Sequence, residues 1–397
     1  MTCFPDLDLI RIESQTAAVR GSRVSEMCAM RITQIHLYQH NLPVKGPAYR
    51  MALSELTALD TTIVEVITDT GLKGYGETCP LGSTYQAQHA KGARAALEEM
   101  LPHLIGMNPL HIETVGRRMN AALNGHLYAK AAVDIALWDI AGKAQGIRVC
   151  DLLGGAVRER VPSYYAIGPE APDEAARQAK EKQAQGFPRI QMKVGGRNAH
   201  IDIEAIRKVS AVLQPGVRLA ADANRSWTVR DTILISQACR DLPLVLEQPC
   251  GSFEEVARLK GRICHPVYMD ESIVDVNTAI QAIADDVVDG FGLKTTRVGG
   301  ISAMRTLRDI CNARGLPHTC DDCWGGDIVA AACLHIGATV DPRLLEGVWV
   351  AQPYIDGHYD KGPGIALVQG WLNLPNKPGL GIDPDVSMWG EPWQSYA

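Results

Sequence analysis

The spacing of hydrophobic and polar residues changes character twice along this chain. From Arg31 to Thr78 it is that of strands. Ile32, Ile35 and Leu37 mark a first strand, followed by a Pro/Gly loop at Pro43–Pro47. Thr61–Thr68 is rich in β-branched residues, Asp69-Thr70-Gly71 turns, and Lys73–Thr78 returns. Composition and turn chemistry predict a hairpin there. Helical spacing follows over Gln86–Leu104, Ile112–Asn120 and Ala129–Gln145, the last closing at Gly146. Strands first and helices second predict an α+β layer domain. Its boundaries are set at 30–155.

The second change comes at Arg160. From there to Val350, short apolar runs alternate with helical stretches such as Pro172–Gln185 and Ile201–Leu213. Eight runs qualify as strands: Pro162–Ala166, Arg189–Val194, Arg218–Asp222, Leu244–Gln248, Val267–Glu271, Gly290–Thr295, Leu316–Asp321 and Leu344–Trp349. This predicts an α/β fold, a modified (β/α)8 TIM-type barrel over 156–365 with the α+β domain in front of it. A doubly wound open sheet is disfavoured, because no Gly-x-Gly-x-x-Gly follows an early strand. Residues 366–397 are loop-rich and are expected to leave the barrel and pack back on the N-terminal domain. Residues 1–29 have scattered charges and no apolar core, and read as a disordered extension rather than a secretory signal.

Four of the strand-like runs end on a polar side chain. Lys193, Asp222, Glu247 and Asp270 lie 29, 25 and 23 residues apart, each gap long enough for a crossover helix. Strand ends in a barrel converge on one mouth. Three carboxylates meeting there repel each other unless a cation holds them, and Mg2+ with oxygen ligands answers that need. Asn224 lies two residues past Asp222 and is expected to point the same way, orienting a ligand. Glu271 directly follows Asp270, is expected to point away, and receives no metal role.

Lys294 ends the sixth run. Strands two and six stand opposite in an eight-stranded barrel, so Lys193 and Lys294 are expected to face each other across the mouth. Near a metal and partly desolvated, such lysines are expected to titrate low enough to exchange protons. The pairing suits removal of a proton α to a carboxylate and its return on the other face.

Composition narrows the partners. Hydrophobic residues make up 46% and charged residues 21%, and net charge is −6 with no basic block. Nucleic acid and membrane are therefore not expected as partners. Eleven cysteines are dispersed, with Cys320 and Cys323 the one close pair. They read as reduced thiols of a cytoplasmic enzyme.

The helix Ala129–Asp139 leading to Leu152-Leu153-Gly154-Gly155, together with Asp222-Ala-Asn, Glu247-Gln-Pro and Asp270-Glu-Ser, resembles the mandelate racemase/muconate lactonizing branch of the enolase superfamily. The resemblance runs from Met30 to the C-terminus. It implies an N-terminal capping domain, a modified barrel, Mg2+ and α-proton abstraction; homo-oligomers are expected by analogy. The usual Lys-x-Lys is here Gln191-Met192-Lys193, and His318 has no Asp partner of the mandelate racemase type. Gln191-Met-Lys-Val-Gly-Gly, Lys294-Thr-Thr-Arg-Val-Gly-Gly, Cys320-Asp-Asp-Cys-Trp and Glu346-Gly-Val-Trp-Val resemble the 4-hydroxyproline betaine 2-epimerase group within that branch. This implies epimerisation of a proline betaine, with cis-3-hydroxy-L-proline dehydration or another amino-acid racemisation as the alternative. The substrate is thus a quaternary-ammonium or imino-acid carboxylate. A quaternary ammonium is recognised by aromatic faces. By resemblance the cage is Tyr85 and Trp349, with Gln191 and Trp324 as further substrate contacts and Asp321 as counter-charge. The other capping loop, Gly46–Thr57, lacks the tryptophan that the epimerase resemblance implies near Thr57.

Overall fold

The computed structural model of the chain describes residues 29–46, 48–50 and 55–397. The expected N-terminal extension, residue 29 apart, and residues 47 and 51–54 of the Gly46–Thr57 loop lie outside the described residues. The strands in chain order are β1 (Ile32–Pro43), β2 (Tyr49–Arg50), β3 (Glu55–Leu56), β4 (Ala58–Thr68), β5 (Lys73–Thr78), β6 (Arg160–Pro162), β7 (Tyr165–Ile167), β8 (Arg189–Lys193), β9 (Arg218–Asp222), β10 (Leu244–Glu247), β11 (Val267–Met269), β12 (Gly290–Lys294), β13 (His318–Asp321), β14 (Leu345–Gly347), β15 (Leu367–Val368), β16 (Trp371–Asn373) and β17 (Gln394–Tyr396).

In the N-terminal part, β1, β4 and β5 form an antiparallel meander, and β17 from the C-terminus adds to the free edge of β1. The helix Leu127–Gln145 lies across this sheet. It is apolar on every side, so it must be buried all round, and Ala129–Gly142 are. Gly74 and Gly76 on β5 permit the close approach: a Cβ on either would overlap the backbone oxygens of Ala136 or Ala132.

Strands β7 to β14 form one all-parallel sheet in strict sequence order. Such sheets need both faces covered. Apolar strand residues such as Ile190, Leu246 and Leu293 are fully buried. The sheet curls so that its two edges meet at Val348, whose N–H donates to Pro162 O at 2.9 Å and whose carbonyl accepts from Ser163 Oγ at 2.7 Å. The expected first strand, Pro162–Ala166, is divided. Pro162 ends β6 in a small antiparallel sheet with β15 and β16, Ser163 N–H turns to Gly370 O, and pairing with β8 begins only at Tyr165. The eighth strand stops at Gly347, where φ of +132° bends the chain, so Trp349 lies beyond the strand end. One core cluster runs from Tyr38, Ile63 and Trp138 to Met269, Phe291 and Leu293, and so joins the two parts. No helix among the described residues is long and apolar enough to cross a membrane.

Candidate active site

Register places the strand-end groups side by side. Lys193 pairs with Asp222 across β8 and β9, Asp222 with Glu247 across β9 and β10, and Lys294 with Asp321 across β12 and β13. Asp270 follows the last residue of β11. Asp222, Glu247 and Asp270 are all buried.

Each carboxylate faces a cation. Lys193 Nζ lies 2.5 Å from Asp222 Oδ2. Arg189 Nη2 donates to Glu247 Oε2 at 3.1 Å, and Gln191 Nε2 to the same oxygen at 2.8 Å. Arg297 Nη1 donates to Asp270 Oδ1, while Lys294 Nζ sits 3.3 Å from Asp270 Oδ2 and 3.2 Å from Asp321 Oδ2. So engaged, no three acidic, histidine or cysteine side chains among the described residues stand in ready ligand spacing. The convergence still fits a cation. Glu247 Oε1 is buried with no hydrogen-bond partner, and Gly292 keeps the adjacent space open: a Cβ there would lie 3.0 Å from that oxygen. Burial and the nearby Asp222 push the Glu247 carboxyl up to about 7. Burial acts the same way on Asp270, but the Lys294 and Arg297 cations outweigh it and hold that carboxyl below its usual range. An oxygen-rich, negatively charged, partly unsatisfied cluster is the donor set that Mg2+ takes.

Three expectations need correcting. Glu271 does not point away. The strand has ended at Met269, so strand alternation no longer governs Asp270 and Glu271. Asn224 Nδ2 spans Asp222 Oδ2 and Glu271 Oε1, at 3.1 Å each, and Glu271 Oε2 is buried with no hydrogen-bond partner. Burial, with Asp270 and Asp222 close by, pushes Glu271 up to about 8. The second correction concerns Lys294. Its pKa is not lowered but raised, because Asp270 and Asp321 together outweigh the desolvation that would lower it. The third concerns Asp321, which is fully buried and is not among the cavity-lining residues. Its Oδ2 takes Lys294 and the Tyr164 hydroxyl (2.7 Å), and its Oδ1 takes the Trp349 N–H (2.7 Å). It holds Lys294 and the chain after β14 in place and is not open to a ligand's cation.

Above the carboxylates is a cavity. Lys193, Lys294, Gln191, Asn224, Tyr85, Trp324 and Trp349 all line it, as do Tyr164 and Asp322. The expected cage is split between two walls. The Tyr85 hydroxyl lies 3.5 Å from Asp270 Oδ2, on the carboxylate side. Trp324 and Trp349 meet edge to face at 5.3 Å between centroids, and Tyr354 stacks on Trp349 at 5.4 Å. Tyr354, Tyr164, Arg189 and Arg297 went unpredicted. Of these only Arg297, three residues past Lys294 in a short helix (Thr295–Val298), had a spacing that could have flagged it. Cys320 and Cys323 are free thiols, and His318 is a buried residue of β13 whose Nδ1 meets Leu316 O at 3.0 Å.

Comparison with known proteins adds the following. Residues 32–154 match the N-terminal domain model of the mandelate racemase/muconate lactonizing enzymes, and residues 174–388 match the enolase C-terminal domain-like model. The cis-3-hydroxy-L-proline dehydratase of Roseibium aggregatum is 40% identical over 93% of this chain and 100% of its own length. A hydrophobic dipeptide epimerase of Enterococcus faecalis is 29% identical over 89% of this chain and 99% of its own. A member of the enolase superfamily from Roseovarius nubinhibens, solved in complex with magnesium, superposes with a TM-score of 0.88 at 32% identity, covering 92% of this chain and 99% of that one.

Proposed function

The chain belongs to the mandelate racemase/muconate lactonizing enzyme family of the enolase superfamily, and we propose that within it the protein dehydrates a cis-3-hydroxylated proline. The observation that carries this reading is the placement of two lysines, from the second and sixth strands of the curled sheet, on one cavity above a carboxylate cluster.

The stereochemistry follows from the substrate. In cis-3-hydroxyproline the hydroxyl and the carboxylate share one ring face, so the α-hydrogen lies on the other. Loss of water then needs a base on one face and an acid on the opposite face. Asp321, which is not among the carboxylates assigned to the metal, lies 3.2 Å from Lys294 Nζ and favours its protonated form, which suits Lys294 to donate a proton to the departing hydroxyl. Lys193 then takes the α-proton. The C–H electron pair becomes the ring C2=C3 double bond as the C–O bond breaks, and water leaves with the proton from Lys294. Asp222, Glu247 and Asp270 would hold Mg2+, which when bound stabilises the negative charge that develops on the substrate carboxylate. Gln191 and Asn224 orient Glu247 and Asp222 through the hydrogen bonds given above. The R. aggregatum relative supports the choice of substrate.

Trp324 and Trp349, both lining the cavity, favour a second reading, 2-epimerisation of a proline betaine, since aromatic faces attract a quaternary ammonium. One experiment separates the two. The protein is incubated in D2O with Mg2+ and either cis-3-hydroxy-L-proline or a proline betaine, and followed by NMR. Dehydration gives the unsaturated ring product from the first substrate. Epimerisation gives α-deuterated, inverted betaine with no elimination. Absence of product from the hydroxyproline, with turnover of the betaine, replaces the first reading by the second.

A further inference from the structure

The segment between β5 and the helix Ala90–Met100, residues 79–89, carries Tyr85 to the wall of the lysine cavity. Among the described residues, no backbone N–H or carbonyl of residues 83–87 pairs with another backbone group. Side chains therefore hold this stretch against the barrel. The Tyr85 hydroxyl reaches Asp270 Oδ2 at 3.5 Å, and Cys323 Sγ reaches Gln86 Oε1 at 3.6 Å. The first contact is long and the second is a weak thiol bond. The third is of another kind: Arg225 Nη2 donates to the Tyr85 carbonyl. A bond from a guanidinium is charge-assisted, and roughly twice as strong as a neutral one.

The backbone is bent to deliver that bond. Asn224 and Arg225, with φ of +41° and +72°, both lie in the left-handed region, which residues with a Cβ rarely adopt. Asp222 Oδ1 accepts from Asn224 N at 2.9 Å, and Gln248 O accepts from Arg225 N at 2.9 Å, so groups at the ends of β9 and β10 fix the bend. Strain of this kind persists only where the surroundings enforce it, and it gathers at functional sites. The bend sends Asn224 to the carboxylates and Arg225 to the cap segment, with Arg225 Nε 3.7 Å from Glu271 Oε1. Arg225 is not among the described residues that line the cavity, so its effect on a bound molecule passes through a neighbour. We propose that Arg225 is a positioning residue: it clamps the segment 79–89 by the Tyr85 carbonyl and so fixes the Tyr85 ring as one wall of the cavity. The proposal rests on this cavity being the active site, and not on which proline derivative is turned over there.

Limited chymotrypsin digestion of the full chain without substrate, with the cleavage sites read by mass spectrometry, tests the clamp. Kinetics with the proline derivative that the protein turns over test its consequence. Arg225→Ala keeps the Cβ and hence the backbone strain. In it, cleavage after Tyr85 is expected to run about tenfold faster than in wild type, while cleavage after Phe291 in β12, which reports global unfolding, rises far less. The same variant is expected to lose about tenfold in kcat/KM, mainly through KM. Arg225→Lys, which keeps a cation for the carbonyl, should recover most of both. Adding Tyr85→Ala to Arg225→Ala should cost little more, because the ring is already out of place. Cleavage after Tyr85 at the wild-type rate in Arg225→Ala overturns the proposal. So do losses that multiply in the double variant, which would mean that Arg225 does not act through Tyr85. If neither proline derivative is turned over, the assigned reaction fails and the digestion still decides the clamp.

Discussion

Two sets of buried acids occupy this molecule, and they are treated in opposite ways. At the seam between the N-terminal domain and the barrel, Glu77, Asp134 and Asp139 are met chiefly by fixed backbone donors. Glu77 accepts from Gly326 N at 2.8 Å, Val329 N at 3.2 Å and Thr61 Oγ1 at 2.8 Å, at the start of the helix Asp327–Gly337. Asp134 accepts from Ser302 N and Oγ at the start of the helix Ile301–Arg314. Asp139 accepts from Tyr75 N and Leu380 N. At the barrel mouth, Asp222, Glu247, Asp270 and Glu271 are met mostly by long cationic side chains, and two of their oxygens are left unpaired. Backbone donors at helix starts make a carboxylate a rivet. Long cationic side chains and unpaired oxygens leave it able to change partners. The same residue types therefore serve cohesion in one place and chemistry in the other, and the hydrogen-bond inventory separates them where burial does not.

The largest effects test the mouth. Lys193→Ala and Lys294→Ala are each expected to cut kcat by about 10^3 or more, since a positioned acid or base contributes roughly 10^2–10^4. Circular dichroism should show the fold retained. A Lys294→Ala protein with full turnover would mean that the opposed lysines do not share the proton work.

Next comes the seam. Glu77→Ala strips three donors of their acceptor in a fully buried position. A loss of about 3 kcal/mol in unfolding free energy is expected, by denaturant titration. Turnover of the molecules that remain folded should stay near wild type. A large loss of kcat at unchanged stability would move Glu77 into the functional set.

His335 offers a pH test of the same seam. Cys150 N–H donates to its Nδ1 at 3.3 Å, so its Nε2 carries the proton and donates to Leu380 O at 3.0 Å. The ring is held neutral, and burial lowers its pKa to about 4. A base with a depressed folded pKa stabilises above its unfolded value, near 6.5, and loses that contribution as pH falls toward 4. On the order of 2 kcal/mol should vanish between pH 6.5 and 5. The comparison is wild type against His335→Gln, which lacks this titration. Parallel stability curves for the two would rule the effect out.

Sequence carried the two regions unequally. The β/α alternation and the strand-end positions of Lys193, Asp222, Glu247 and Lys294 were legible, because each follows directly from a short apolar run whose length fixes where it stops. Glu271 was misplaced because local alternation was extended past the end of β11, and the eighth strand was drawn two residues too long, to Trp349. Asp321 was read by type, as an acid near a cation pocket. Its three buried donors come from the link between β6 and β7, from β12 and from the segment after β14, which only the fold brings together. The rivets at the seam were not legible at all. Asp134 and Asp139 appeared only as part of a helical pattern, and their backbone donors lie at least 64 residues away.

The smallest effect bears on the contrast most directly. Glu271 Oε1 accepts from Asn224 and lies 3.7 Å from Arg225 Nε, its Oε2 has no hydrogen-bond partner among the described residues, and Asp222 and Asp270 are nearby. Glu271→Gln keeps an acceptor for Asn224 and removes a carboxyl that its acidic neighbours repel whenever it ionises. Without added divalent ion, relief of that repulsion is expected to raise stability by about 1 kcal/mol. An acid at the seam should give the opposite sign: Asp139→Asn weakens an ion pair with Lys143 at 2.6 Å and lowers stability. Added Mg2+ should stabilise wild type more than Glu271→Gln, because the extra carboxylate raises the cluster's affinity for a cation. Thermal melts of the three proteins with and without Mg2+ measure both signs at once. If Glu271→Gln lowers stability in the absence of Mg2+ as Asp139→Asn does, Glu271 is a rivet like the acids at the seam.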